Sequence, residues 1–402
     1  MSARMKLKVL SMNLVNESQI EAFEKARQTR DARFDGKFFI AVRTTGIYCR
    51  PICRVRMPKV ENITLYVSAA AATEAGYRPC LRCRPEAAPG TPAWSGTSTT
   101  VKRGLRLISE GALDEQSIEE LSDKLGVTSR HLGRLFNQHL GVSPQAIAQT
   151  RRLHFAKKLI SETGLPMTEI AMSSGYGSVR RFNDHIRKVY NRSPTLLRNK
   201  RSVDADAGVK LRLPYREPFD FDGMLAFLAM RAVPQIESIV EGAYVRTLQI
   251  DGETGLLNVS QDVENRCLVC KVELTNTRPL MKVVEKVRTL FDLDADPSEI
   301  NQCLSENGEL TDLIAENPGQ RLPGAWDPFE VAVRAIVGQQ VSVKGATTVM
   351  SRIVDRYGER IGETVLFPTP ESLAALSVEN LSMPNKRAQA IKDMAAAVVR
   401  GE

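Results

Sequence analysis

Long apolar runs are missing from this 402-residue sequence, and none approaches the roughly 18 residues that a membrane-spanning helix needs. Three basic residues, Arg4, Lys6 and Lys8, open the chain, but only a short and broken apolar stretch follows them. A signal peptide has a continuous apolar core and a small-residue cleavage site. These absences argue against a membrane-spanning protein and favour a cytoplasmic one.

Cysteine is scarce and odd in number, with seven residues in the chain. A disulfide framework is therefore not expected in a chain that lacks an export signal. Cys267 and Cys270 form one C-x2-C pair, but they fall on a predicted strand, where residues three apart point to opposite faces. Together with Cys303, they are interpreted as buried thiols.

The charge is unevenly distributed along the chain. Residues 1–200 hold 33 Lys plus Arg and 17 Asp plus Glu, whereas residues 201–402 hold 22 and 30. The first half therefore carries a net charge of +16 and the second half −8. A basic half is the natural candidate for contacts with nucleic-acid phosphates, although a solvated basic surface gives the same composition.

Four cysteines near the N-terminus have the spacing of metal ligands: Cys49-x3-Cys53 and Cys80-x2-Cys83, with 26 residues between the two pairs. Two close pairs, each on a tight turn, suit tetrahedral Zn²⁺ with four sulfur ligands. The spacing alone also fits a closed structural zinc site without chemistry.

The context of these cysteines is specific. Residues 42–51 (VRTTGIYCRP), 53–56 (CRVR) and 78–83 (RPCLRC) closely resemble the N-terminal zinc domain of Ada-type DNA repair proteins. The resemblance implies that Cys49, as a zinc-bound thiolate, accepts the methyl group of a methylphosphotriester in the DNA backbone. It also implies that Thr45, Arg56 and Arg78 lie near the phosphate, although ordinary surface arginines would look the same in sequence.

An internal repeat with an offset of 50 residues occupies a predicted all-helical region, residues 101–198. It places Thr128 on Ser178, Leu132 on Phe182, and the Ser-Pro at 143–144 on that at 193–194. Each copy has a short helix, a glycine-containing turn, an N-cap hydroxyl and a second helix. Ser117 and Glu120 form a capping box before the first copy. The pattern predicts two helix-turn-helix motifs.

This repeat resembles the DNA-binding domain of AraC-type transcription factors, most specifically over residues 170–194. The first residues of each second helix would face the major groove. Arginine can read guanine and asparagine can read adenine, but a phosphate contact is as plausible for each arginine. The candidates are Arg130, His131 and Arg134 in one copy, and Arg180, Arg181 and Asn183 in the other. Apolar residues such as Phe136 and Ile186 are assigned to the core, and His139, His154 and His185 are interpreted as structural or surface residues.

Residues 210–402 resemble AlkA-type 3-methyladenine DNA glycosylases. Residues 223–229 (GMLAFLA), 321–324 (RLPG) and 335–343 (AIVGQQVSV) carry the resemblance. Phe227 matches a pocket aromatic of that family, and Gln340 stands where its DNA-wedging residue lies. Both could equally be residues of the fold alone.

The family's helix-hairpin-helix and catalytic aspartate would follow the segment that ends at Glu402. A glycosylase of this class needs a carboxylate beside the flipped nucleotide. The carboxylates of Asp327 and Glu330 have the positions of helix-start residues. We therefore expect that this chain does not excise bases.

The expected fold class is multidomain α+β. Predicted domains are a zinc-binding methyl-acceptor α+β domain at 17–90, an all-α double helix-turn-helix domain at 100–198, an AlkA-type N-terminal α/β domain at 210–283, and a partial all-α helix-hairpin-helix glycosylase domain at 284–402. Polar linkers are expected at 87–100 and 199–209.

Three functions are compatible with this organisation: a single-turnover methyl acceptor that regulates transcription, a DNA-binding regulator with a purely structural zinc, and a fragment of a base-excision enzyme. The first is the leading hypothesis. The expected cofactor is Zn²⁺ and the expected partner is double-stranded DNA, both alkylated DNA and promoter DNA. RNA polymerase is a further partner that a transcription activator would contact.

Overall fold

A computed structural model describes residues 17–88, 99–198, 208–306, 308–362, 364–377 and 383–402. The central parts of both predicted linkers lie outside these ranges. None of the described helices combines the length and the apolar character needed to cross a membrane.

The N-terminal unit is a small four-stranded sheet with two helices. Its elements are α1 (Glu17–Thr29), β1 (Phe39–Val42), β2 (Ile47–Cys49), β3 (Ile63–Tyr66), α2 (Ala69–Glu74) and β4 (Arg78–Pro79). The strand order is β3-β1-β2-β4, with β2 and β4 parallel. Helix α1 is amphipathic and buries Phe23 and Ala26. Phe23 stacks on Phe38 with 4.4 Å between the ring centroids.

Eight helices follow, and they contain the two predicted helix-turn-helix motifs. They are α3 (Thr99–Ser109), α4 (Ala112–Glu115), α5 (Ile118–Lys124), α6 (Ser129–Leu140), α7 (Pro144–Glu162), α8 (Met167–Ser173), α9 (Val179–Tyr190) and α10 (Pro194–Leu197). The second helices of the motifs are α6 and α9, and α7 joins the two motifs. Residues 99 and 100, predicted as linker, belong to α3.

Local capping explains where these helices begin. The hydroxyl of Thr128 accepts a hydrogen bond from the backbone N–H of His131, and Ser178 does the same for Arg181. Ser117 and Glu120 form the predicted reciprocal capping box. Each cap satisfies backbone donors that an isolated helix start leaves unpaired.

A five-stranded antiparallel sheet with two helices comes next. Its elements are β5 (Val209–Pro214), α11 (Phe221–Arg231), β6 (Glu237–Val240), β7 (Ala243–Ile250), β8 (Glu253–Asp262), β9 (Cys267–Leu274) and α12 (Leu280–Leu290). The strand order is β5-β9-β8-β7-β6. Asp251 and Gly252 have φ values of +51° and +80°, as a tight two-residue hairpin turn between β7 and β8 requires. Val209, predicted as the end of a linker, begins β5.

The remainder is mainly helical. It comprises α13 (Pro297–Ser305), α14 (Gly308–Glu316), α15 (Pro328–Val337), α16 (Val343–Tyr357), β10 (Arg360–Ile361), β11 (Thr364–Val365), α17 (Pro370–Ala374) and α18 (Asn385–Val399). Helices α15 to α18 enclose one apolar core around Val333, Ile353 and Ile391.

The prediction that the three remaining thiols are buried was right for two of them. Cys267 and Cys270 are buried in β9, and burial raises the pKa of their thiols to about 11 and about 12. Cys303, however, is exposed. It lies on α13, which buries none of its residues except Pro297.

Two larger cores cross the boundaries between these units. One contains Tyr48 and Phe39 of the N-terminal sheet together with Leu132 and Phe136 of the first helix-turn-helix motif. The other contains Phe182 of the second motif together with the five-stranded sheet. Helix α7 contributes to both, through Ala146 to the first and through Leu159 to the second. It is therefore the element that connects them.

Candidate metal centre and DNA-binding surfaces

The sheet register brings the four N-terminal cysteines together. Cys49 ends β2, and Cys53 lies in the tight turn that follows, where its N–H donates to the carbonyl of Arg50. Cys80 follows β4, and its N–H donates to the carbonyl of Tyr48, so the two pairs are held side by side. The four sulfurs all lie within 4.8 Å of one another.

This donor set fits a tetrahedral Zn²⁺. With Zn–S bonds of about 2.3 Å, the sulfurs of such a site lie about 3.8 Å apart. The thiols strongly affect the pKa values of one another. The hydrogen bond between Cys49 and Cys53 is the main reason that the pKa of Cys49 is raised. The same hydrogen bond is the main reason that the pKa of Cys53 is lowered to about 7. Four thiolates this close repel one another, and a divalent cation at their centre would offset that repulsion.

Arg50 and Asp35 support the cluster, and sequence reasoning missed both. The N–H of Arg50 lies 3.4 Å from the sulfur of Cys83, and its guanidinium donates to the carbonyl of Cys83 at 3.1 Å. The same guanidinium forms an ion pair with the buried carboxylate of Asp35. Asp35 lies 15 residues before Arg50, and no local pattern marks the pair.

A small cleft of about 30 Å³ opens beside Cys49 and Cys53, lined mainly by apolar side chains that include Ile40, Val42 and Met57. Cys49 itself is buried, with 6% of its surface exposed. A small apolar group in this cleft would therefore lie beside a sulfur that is largely shielded from solvent.

The three predicted phosphate contacts lie in different places. Thr45 is exposed in the β1–β2 turn, where Gly46 has a φ of +64°. The N–H of Arg78 donates to the carbonyl of Gly46, so Thr45 and Arg78 share one end of the sheet. Arg56 is exposed in the loop after Cys53. Thr45 is four residues from Cys49, about 13 Å along an extended chain.

The candidate reading residues occupy the first turns of α6 and α9. Arg130, Arg134, Arg180 and Arg181 are exposed, and His131 and Asn183 are partly buried. In α6, Arg134 Nη2 lies 3.1 Å from His131 Nδ1. In α9, Arg180 is 92% exposed, and its guanidinium lies 3.9 Å from the carboxylate of Asp184. Such a long, exposed ion pair is weak, so the guanidinium remains available for contact with DNA. Four of the five core residues predicted for these helices are fully buried, namely Leu132, Phe136, Phe182 and Ile186, whereas Leu135 is only partly buried.

The glycosylase-like positions are at the surface. Phe227 is 36% exposed, and the guanidinium of Arg231 lies 3.7 Å from its ring centroid. Gln340 is exposed on the turn before α16, and its φ of +57° is unusual for a residue with a side chain. Arg387 donates to its amide oxygen at 3.4 Å.

Asp327 and Glu330 have structural partners. The carboxylate of Asp327 caps α15 by accepting the N–H groups of Phe329 and Glu330. Glu330 is buried and paired with Arg246 at 2.9 Å and with Arg334 at 2.8 Å. These contacts match their interpretation as helix-start residues.

Four family models match successive parts of the chain. The model for the metal binding domain of Ada matches residues 22–86, and that for a helix-turn-helix domain matches 121–200. The AlkA N-terminal domain model matches 210–327, and the HhH-GPD superfamily base excision DNA repair protein model matches 333–401. The resemblances to the Ada, helix-turn-helix and AlkA families are confirmed.

Curated relatives combine the same parts. The probable bifunctional transcriptional activator/DNA repair enzyme AlkA of Mycobacterium tuberculosis is 40% identical over 386 residues, which cover 93% of this chain and 77% of the relative. DNA-3-methyladenine glycosylase 2 of Escherichia coli is 36% identical, covering 47% of this chain and 67% of its own. The bifunctional transcriptional activator/DNA repair enzyme Ada of Escherichia coli is 35% identical, covering 37% and 40%.

Proposed function

Because this chain belongs to the family of bifunctional transcriptional activator/DNA repair enzymes, we propose that Cys49 accepts a methyl group from a DNA methylphosphotriester and that this transfer switches binding to promoter DNA. The observation that carries the proposal is the four-sulfur cluster, with Cys49 at an apolar cleft. The metal is proposed to be zinc, held by Cys49, Cys53, Cys80 and Cys83.

The chemistry is a nucleophilic substitution at carbon. A bound Zn²⁺ would supply the positive charge that keeps the cysteine sulfurs deprotonated at neutral pH. The thiolate of Cys49 attacks the methyl carbon, an S–C bond forms, the C–O bond of the ester breaks, and the phosphate diester leaves as an anion. The thioether product has no route back to the thiolate, so each protein molecule reacts once.

The substrate follows from the charge of the site. A methylphosphotriester is neutral, so its methyl group can approach a group of thiolates without the full repulsion that an ordinary phosphate meets. The apolar lining of Ile40, Val42 and Met57 suits such a methyl group. We propose that Thr45, Arg56 and Arg78 bind the neighbouring charged phosphates and set the position of the strand.

Methylation should tighten DNA binding. Four thiolates around one Zn²⁺ carry a net charge of −2, and conversion of one to a thioether leaves −1. At an effective dielectric constant near 20, one unit charge about 6 Å from a phosphate contributes roughly 2–3 kcal/mol before salt screening. The methylated protein is therefore expected to bind its promoter tens-fold more tightly.

Promoter recognition is assigned to the two helix-turn-helix motifs. Arg130, His131 and Arg134 on α6, and Arg180, Arg181 and Asn183 on α9, are proposed to contact the major groove. We propose that methyl transfer and promoter binding belong to separate domains, with the predicted limits 17–90, 100–198, 210–283 and 284–402. Contact with RNA polymerase remains a prediction.

Mass spectrometry of protein incubated with DNA that contains methylphosphotriesters tests the proposal. One added methyl group, located on the peptide with Cys49, is expected for the wild-type chain and for Cys303→Ser, which removes an exposed thiol outside the cluster. Cys49→Ser should gain none. A wild-type chain that binds metal but stays unmethylated would instead support a regulator with a purely structural zinc.

Base excision is the second candidate function, because the AlkA N-terminal and HhH-GPD models match residues 210–327 and 333–401. The ion pairs of Glu330 and the capping role of Asp327 leave neither carboxylate available for a sugar. Release of free base from DNA containing 3-methyladenine, sustained over several turnovers, would establish this function in place of our expectation that the chain does not excise bases.

A further inference from the structure

A buried hydrogen bond connects the metal centre to α7. Tyr48, which directly precedes Cys49, is fully buried, and its hydroxyl lies 3.0 Å from Nε2 of His154 on α7. The backbone carbonyl of the same tyrosine accepts the N–H of Cys80. A displacement of Tyr48 would therefore reach both cysteine pairs and the helix that joins the two helix-turn-helix motifs.

Charged side chains extend this contact along α7. Arg84, directly after Cys83, lies 3.1 Å from the carboxylate of Glu162 and 3.4 Å from that of Glu86. Glu86 also pairs with Lys157 at 3.5 Å, and Glu162 with Lys158 at 3.3 Å. Apart from Arg84, these side chains are less than 10% exposed. We call these five residues the α7 clamp.

Strand β5 of the five-stranded sheet also contacts the α7 clamp. The backbone N–H of Arg212 in β5 donates to Glu162 at 3.0 Å, and Lys158 donates to the carbonyl of Arg212. Glu162 thus receives hydrogen bonds from the N-terminal domain, from α7 itself and from the AlkA-type domain. A second contact reinforces this arrangement, because Arg216 of the AlkA-type domain donates to the carbonyl of Asp35 at 3.0 Å.

We propose that the α7 clamp couples the methylation state of Cys49 to DNA binding, with Glu162 as its positioning residue. The clamp contains three cations and two carboxylates, so its net charge is +1. In the unmethylated protein, the −2 charge of the thiolate cluster stabilises this excess of positive charge, because Arg84 directly follows Cys83 and is only partly exposed. Methylation halves that stabilisation, loosens the N-terminal domain from α7 and frees the two motifs to adjust to DNA.

The inference rests on the proposed function, but it can be tested separately. Methyl iodide can methylate the reactive thiolate without DNA, forming the S–C bond and releasing iodide. A Cys303→Ser background removes the exposed thiol that would compete. The coupling can therefore be measured even if transfer from DNA does not occur.

The decisive quantity is the ratio of promoter affinities of methylated and unmethylated protein. Glu162→Gln should already loosen the clamp in the unmethylated state and lower this ratio at least about threefold, within the range by which single substitutions change the coupling between two sites. Glu110→Gln is the matched control, because Glu110 forms only an exposed pair with Arg106. It should leave the ratio unchanged.

A less disruptive variant, with its own control, tests the proposal if Glu162→Gln does not fold. Tyr48→Phe removes only the hydroxyl that reaches His154, and it should also lower the ratio. Tyr176→Phe removes an equivalent hydroxyl, 2.9 Å from His185, but within the second motif. It should change the affinity of both states by the same factor.

Hydrogen exchange supplies a readout independent of DNA. Methylation should accelerate exchange at residues 84–88 and 154–162, while α12 stays unchanged. If the wild-type ratio is large but neither Glu162→Gln nor Tyr48→Phe lowers it, or if exchange at these segments does not respond, the coupling role of the clamp is wrong and the methyl-acceptor proposal stands. A wild-type ratio of one overturns both the clamp and the proposed switch in promoter binding, whereas transfer of the methyl group to Cys49 is tested by the mass spectrometry above.

Discussion

At the scale of single residues, the sequence predicted what depends on local spacing. The two cysteines of each pair are close in sequence, and the short strands that carry the pairs need only pair in parallel to bring the sulfurs within 4.8 Å. Arg50 with Asp35, and Tyr48 with His154, join residues 15 and 106 positions apart. No periodicity or motif encodes such contacts, because each depends on how whole elements pack.

His154 gives a pH dependence that sequence alone did not suggest. Burial lowers its pKa below the ordinary value of 6.5, so the unfolded chain binds this proton at higher pH than the folded chain. The stability that neutral His154 contributes is therefore complete above about pH 6.5 and is lost as the pH falls toward the folded pKa.

The free energy of unfolding should decrease from pH 7 to pH 5 by up to about 1.4 kcal/mol per pH unit for this group. His154→Gln, which can still bond to Tyr48, should show a shallower decrease in urea titrations. His185, whose pKa burial also lowers, contributes equally to both proteins. Parallel curves for the wild type and the variant would contradict the prediction.

Arg134 and Arg180 can be assigned to base or phosphate contacts by substitution. Alanine at a position that reads a base should cost about 1–3 kcal/mol of binding and relax specificity there, whereas alanine at a phosphate contact should lower the salt dependence of binding by about one ion. Arg360, exposed on β10, is the control. Binding titrations at several salt concentrations, on the promoter and on point-substituted promoters, distinguish these outcomes. If neither variant weakens binding more than Arg360→Ala, α6 and α9 are not the DNA-contacting helices.

At the scale of elements, helices were more predictable than strands. Thr128, Ser178, Ser117 and Asp327 all cap the helices that their sequence positions indicated. The strands β5 and β6 carry little signal in the sequence, since one begins inside the predicted polar linker and the other has only four residues. Both are edge strands, and their partners β9 and β7 supply the hydrogen bonds that their own sequences do not signal.

Because its strands are short, we expect the N-terminal domain to depend on metal for stability. β2 has three residues and β4 two, so their pairing contributes few hydrogen bonds. Structural zinc sites contribute roughly 10–16 kcal/mol of apparent free energy in small peptides. Freshly purified protein should therefore contain one zinc per chain, and Cys80→Ser should unfold residues 17–88.

Elemental analysis and hydrogen exchange check this expectation. Cys267→Ser, at a buried thiol outside the cluster, should leave both the zinc content and the exchange of residues 17–88 unchanged. Zinc-free protein in which residues 17–88 remain protected would refute the metal requirement.

At the scale of the whole molecule, the chain carries two recognition helices in one polypeptide. AraC-like sequence repetition indicated this, but it did not indicate that the first motif shares a core with the zinc domain and the second with the AlkA-type sheet. Those cores arise from apolar faces on distant segments, whose partners no single segment reveals. Each helix-turn-helix motif therefore packs against a different domain, the first against the zinc domain and the second against the AlkA-type domain.

One chain should therefore bind DNA as a monomer across two successive major-groove segments, about 34 Å apart along one face of the duplex. Hydroxyl-radical footprinting should show two protected regions separated by one helical turn, and sedimentation should give one chain per duplex. The separate motifs allow a sharper test. Alanine at Arg130 and Arg134 should remove only one protected region, and alanine at Arg180 and Arg181 only the other, since α6 and α9 are separate helices connected through α7. A footprint confined to one groove segment, or loss of both regions in either variant, would mean that the two motifs do not contact DNA independently.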